Sequence, residues 1–148
     1  MRKTWMAVVV AMLALPALGA DVGLVKVSRG SVALERDGAR MPAPVGTAVR
    51  ASDVIVTGAD GAAGITFADN SLVSVGPDSV FAIDRYAFDT TTYAGEFQGS
   101  LRKGRLAAIS GKMVKQSPGS MKIRTPSAIM GVRGTEFVVQ VDEPAAHP

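Results

Sequence analysis

The sequence has no Cys, a single His, a single Trp, and only two Tyr and five Phe among 148 residues. Without Cys there is no disulfide framework, no thiol nucleophile, no thiolate zinc site and no iron–sulfur cluster. The lone His stands at position 147, next to the terminal Pro148, so a Ser-His-Asp triad would need a histidine in a Pro-flanked tail. Charge of one sign is also lacking. Sixteen Lys and Arg face thirteen Asp and Glu, for a formal +3. What is present is 47% apolar residues with 20% charged ones, the composition of one globular domain and not of a disordered chain.

The only long apolar run comes first. Arg2-Lys3 is followed by unbroken apolar residues from Trp5 to Leu15, then Pro16 and the small residues Ala17, Gly19 and Ala20. These are the three parts of a secretory signal peptide. The run is too short for the roughly 18–20 residues that span a bilayer. The sequence therefore predicts a leader over residues 1–20, cleaved after Ala20 or, alternatively, Gly19, and a periplasmic or secreted product with no transmembrane segment after cleavage. No Cys follows the leader, which excludes a lipoprotein. Losing Arg2, Lys3 and Trp5 leaves 14 basic against 13 acidic residues and no Trp, which removes the general charge argument for a nucleic-acid partner.

From Asp21 onward, short alternating apolar runs are bounded by Gly, Pro, Asp and Asn, the pattern of strands joined by tight turns. Runs are read at 22–27, 31–36, 53–56, 62–67, 71–75 and 80–83, then at 94–101, 105–109, 121–124 and 135–141. Asp37-Gly38 marks a hairpin. Met41-Pro42-Ala43-Pro44 can be only an edge or a loop. The best helical stretch, 101–114, is interrupted by Gly104 and Gly111. The reading is an all-β fold of about ten short strands, a layered sheet or short β-solenoid-like fold, over residues 21–141, with a frayed tail at 142–148.

Three ordered segments then stand out. Asp53-Val-Ile-Val-Thr57-Gly58 is followed by Phe67-Ala-Asp69-Asn70-Ser71, and the third is Thr125-Pro126-Ser-Ala-Ile-Met-Gly131-Val-Arg133-Gly134-Thr135-Glu136-Phe137. Together they resemble the FecR domain, which carries Gly-Asp-x-Ile-x-Thr-Gly, Phe-x-Asp-Gly-Ser and Thr-Pro-x-Ala-x-x-Gly-Ile-Arg-Gly-Thr-Asp/Glu-Phe in this order. Ser52 and Asn70 stand where that family usually has Gly; both are turn-compatible types. The resemblance implies an all-β, solenoid-like domain. The founding members are inner-membrane anti-sigma regulators whose copy of this domain sits in the periplasm and receives a signal from an outer-membrane transporter. Here the leader leaves no room for a cytoplasmic segment, so only the periplasmic half of that role is expected to carry over.

Within these segments Arg133 and Glu136 can recognise a partner or serve the scaffold, and the scaffold role is the expectation for motifs shared across a domain family. Asp53, Thr57, Gly58, Asp69, Ser71, Thr125, Pro126, Gly131, Gly134 and Thr135 are expected to be structural. Arg102-Lys103-Gly104-Arg105, with Lys112 and Lys115, is the one basic cluster. It reads as a solvated hairpin turn, with anionic lipid or glycan phosphate as the functional alternative. The Asp residues stand singly beside Gly, Asn or Ser, which suits Asx-turns and not a calcium site. Ser100-Leu-Arg-Lys103 matches Ser-x-x-Lys without its companion elements. Gly131-x-x-Gly134 also occurs as a nucleic-acid clamp in KH domains, where it joins two helices that are not predicted here. No catalytic, metal or cofactor site is expected. The function expected is a non-catalytic binding or signalling module that meets another envelope protein. The alternatives are a glycan-binding module, supported only by Tyr86 and Tyr93, and an oligomerising β module. The sequence does not set the oligomeric state.

Overall fold

Alternation of buried and exposed residues becomes twelve strands. A computed structural model describes residues 20–142. The strands are β1 (Asp21–Arg29), β2 (Val32–Arg36), β3 (Ala39–Pro42), β4 (Ala48–Arg50), β5 (Val54–Thr57), β6 (Ala62–Phe67), β7 (Leu72–Val75), β8 (Val80–Phe88), β9 (Gly95–Ile109), β10 (Met121–Arg124), β11 (Ile129–Val132) and β12 (Glu136–Val141), with one five-residue helix, α1 (Lys112–Gln116). The leader, but for Ala20, and the tail beyond Asp142 lie outside the described residues. The path β3-β2-β5-β8-β9-β7-β6-β1-β4 forms a curled, half-barrel sheet. Every pairing is antiparallel except β10 with β9.

β9 organises the molecule. Its first half lies between β8 and β10, and its second half lies between β7 and β12. One strand thus belongs to two sheet halves, which fold towards each other over a shared core. Leu34, Ile55, Phe81 and Leu101 fill that core from one half, and Ile65, Val73 and Leu106 fill it from the other. Each such side chain contributes about 1.5–3 kcal/mol by leaving water. The few aromatics are concentrated. Phe67 packs against Tyr86 and Phe97 at ring distances of 5.4 and 4.7 Å, where they seal the seam between the halves.

The all-β expectation of short strands in a layered sheet holds, with twelve strands in place of about ten. The pairing by itself does not establish a solenoid coil, since β2 with β3, β6 with β7 and β10 with β11 are sequential hairpins. The Pro-rich segment is an edge strand, β3, as its missing N–H requires. The hairpin turn expected at Arg102–Arg105 is corrected: the chain runs straight through as β9. Gly104 takes φ +93°, and Ser79 Oγ accepts the Arg105 N–H at 3.0 Å. A glycine between cations reads as a turn, yet here its left-handed backbone marks the point where β9 exchanges β8 for β7.

Candidate functional site

Asp53, Thr57, Asp69 and Ser71 of the first two motif segments are buried and hydrogen-bonded, while Asn70 is exposed. Asp53 is 1% exposed. Its carboxylate accepts Arg36 Nε and Nη2 at 2.9 and 2.7 Å and the Arg50 N–H at 2.7 Å. The hydrogen bond from Asp53 raises the Arg36 pKa above its ordinary value, against a smaller opposing effect of burial. Thr57 Oγ1 donates to the Gly76 carbonyl at 2.6 Å and accepts the Ser79 N–H at 2.9 Å, clamping the turn before β8. Gly58 N–H donates to the Ser31 carbonyl at 3.0 Å.

Asp69, also 1% exposed, holds a second node. It accepts the Ser71 N–H and Oγ–H at 3.1 and 2.7 Å, the Asx-turn geometry expected of it. Tyr86 OH donates to Asp69 Oδ1 at 3.0 Å. Ser71 Oγ in turn accepts the Gly111 N–H at 3.0 Å, fastening the entry to α1. Burial, reinforced by the Asp69 charge, pushes the Tyr86 phenol far above its ordinary pKa. Ser52 and Asn70 have φ +75° and +67°, which gives the physical reason why glycine suits both positions.

The third segment is built differently. Thr125 and Ala128 close the β10–β11 hairpin through a Thr125 N–H to Ala128 carbonyl bond of 2.8 Å and an Ala128 N–H to Thr125 Oγ1 bond of 3.1 Å, with Pro126 in the turn. β11 then carries the chain to the far end of the hairpin, where the Gly134 and Thr135 carbonyls accept the Ser110 Oγ–H and N–H, both at 2.7 Å. Only the backbone is tied down. Arg133 and Glu136 are exposed, and neither side chain has a hydrogen-bond or ion-pair partner among the described residues. A Cβ added at Gly131 or Gly134 would meet nothing within 4 Å, and neither glycine needs a positive φ.

A model of the FecR protein family matches residues 53–147. The chain belongs to the FecR family. No curated protein and no solved structure matches it. The matched region contains Asp53, the whole Asp69 node and the open third segment, while Arg36 and Arg50, which bond Asp53, lie before it, and membership identifies the chain as a module of an envelope and signalling family.

The other candidates on this FecR domain fall into place around that contrast. Arg102 and Lys103 line a groove of about 720 Å³ with Thr125, Pro126 and Ser127. Arg105 donates to Gln140 Oε1 at 2.9 Å. The basic cluster thus meets the Thr-Pro end of the third segment, while Arg133 and Glu136 lie at the opposite end of β11 and β12. Ser100 donates to Asp84. Gly131–Gly134 connects strands, not helices. Among the described residues no group of three potential ligands is placed to hold a metal ion, and no helix is long and apolar enough to cross a membrane.

Of the two Tyr, Tyr86 is committed to the Phe67–Phe97 cluster. Tyr93, 41% exposed, stacks on Phe88 and carries the Lys112 ammonium 5.1 Å from its ring centre. Sequence reasoning does not single out Arg36 or Ser110, and it names Tyr86 only as a support for sugar binding, not as the donor to Asp69. A buried carboxylate demands a donor, but nothing in a linear pattern says which distant residue supplies it.

Proposed function

We propose that this chain is an exported, non-catalytic FecR-domain module of the bacterial cell envelope that engages another envelope protein through the segment Gly131–Glu136. The observation that carries the proposal is the state of Arg133. It projects from a stretch whose backbone is fixed by Ser110, its guanidinium has no partner among the described residues, and the flanking glycines keep the backbone approachable where the fold itself has no need of them. A guanidinium held on a rigid base suits bidentate capture of a carboxylate on a partner protein. The leader supports export, and the satisfied state of Asp53 and Asp69 leaves neither as a general acid or base.

The test is a photoreactive residue at Gly131 in intact cells, where added bulk meets open space. A defined protein adduct that disappears with Arg133→Ala is the expected result. Adducts with glycan alone, or an adduct indifferent to Arg133, would count against the reading.

A further inference from the structure

The strand that follows the open segment is an unusual edge. Among the described residues β12 pairs on one side only, with β9. The other edges are protected in familiar ways: β3 carries Pro42 and Arg40, β4 is three residues long, and β11, paired only with β10 among the described residues, has four residues interrupted by Gly131. β12 has six residues, no Pro and the apolar run Phe137-Val138-Val139. The Ser110 N–H to Thr135 carbonyl bond fixes which groups face inward. In an antiparallel ladder inward bonding alternates, so residues 135, 137, 139 and 141 bond to β9. The N–H and C=O groups of Glu136, Val138 and Gln140 therefore point away from the sheet.

We infer that β12 pairs antiparallel with β12 of a second copy of this chain, with Val138 opposite Val138. This goes beyond the envelope partner proposed above and does not rest on it, because it takes the β12 edge and leaves Arg133 free. The register follows from the chemistry. Centred on Val138, the three outward residues form about six new backbone hydrogen bonds. Val138, 62% exposed in one copy, then meets its own equivalent on the outer face, and Phe137 meets Val139 on the inner face. Glu136 falls opposite Gln140 of the second copy. One strand further in stands Arg105, already bonded to that Gln140 at 2.9 Å, so a carboxylate with no partner among the described residues arrives beside an exposed guanidinium twice per pair. Centring on Glu136 would instead oppose two carboxylates.

The test is sedimentation velocity on the full chain, purified in the form the cell leaves it, across a wide concentration range. A concentration-dependent dimer is expected. Val138→Lys should raise its dissociation constant at least ~10-fold without lowering the melting temperature, because the side chain is exposed. Glu136→Arg and Arg105→Glu should each weaken the dimer, and the double exchange should restore it. A monomer at every concentration would overturn the inference, as would a dimer unmoved by Val138→Lys in a variant that melts like wild type. Failure of the double exchange to restore pairing would overturn the register. A photoreactive residue at 138 that captures only other proteins, never this chain, would assign the edge to a foreign strand and also overturn it. Absence of any protein adduct from position 131 with Arg133 in place, while the dimer forms, would instead undermine the envelope-partner reading alone.

Discussion

Asp53 and Arg133 belong to the same set of family segments and are both charged side chains, of opposite sign, yet they stand in opposite physical states. Asp53 is enclosed and accepts three hydrogen bonds, whereas Arg133 is exposed and bonded to nothing among the described residues. The same holds for their surroundings. Around Asp69, polar groups satisfy one another through Ser71, Tyr86 and Gly111, whereas around Arg133 only carbonyls are tied down. A motif shared by a domain family can therefore hold two kinds of residue. Some are enclosed and hydrogen-bonded within the fold, and others hold no partner among the described residues.

The largest effect that would sharpen this contrast is expected at Asp53. Asp53→Ala removes the carboxylate and leaves Arg36, whose side chain is 23% exposed, in a site built for its partner. The expected loss is about 3 kcal/mol of unfolding free energy, read by denaturant titration; a loss below about 1 kcal/mol would break the comparison. Asp69→Ala should cost about 2 kcal/mol, because Ser71 and the Tyr86 hydroxyl lose their acceptor.

Tyr86 adds a dependence on pH. The fold favours the neutral phenol and raises its pKa above the ordinary 10.0. The unfolded chain therefore releases that proton first, so the contribution is whole below pH 10 and is lost as pH rises above it. Stability should fall on the alkaline side, and Tyr86→Phe should flatten that slope. An unchanged slope in the variant would show that another group sets it. Smaller still, and opposite in sign, Ser52→Gly and Asn70→Gly should each stabilise by about 0.5–1 kcal/mol, by relieving left-handed backbone that a side chain resists. Arg133→Ala should change stability by less than about 0.5 kcal/mol.

The strands were legible in the sequence because their inward faces alternate cleanly, as in Ala63, Ile65 and Phe67. β4 is not legible because three residues are too few for alternation to show, and β11 because it spreads its pattern over an exposed Ile129 and a Gly. The continuity of β9 was hidden because Gly104 serves equally as a turn residue or as the left-handed pivot of one strand. The motif residues were found by order and spacing, but their states were not. Arg36 lies 17 residues from Asp53, and Tyr86 lies 17 from Asp69; only the curl of the sheet brings either pair together. The scaffold role expected of Arg133 rested on the habit of shared motifs. Among the described residues no carbonyl or acid is bonded to it.

The most direct test of the division between a bonded scaffold and an open segment is one experiment with two readouts on Arg133→Ala: the denaturation midpoint, and the photo-adduct formed from position 131 in cells. The account predicts an unchanged midpoint and a lost protein adduct. A lowered midpoint with the adduct retained would contradict it, returning Arg133 to the scaffold.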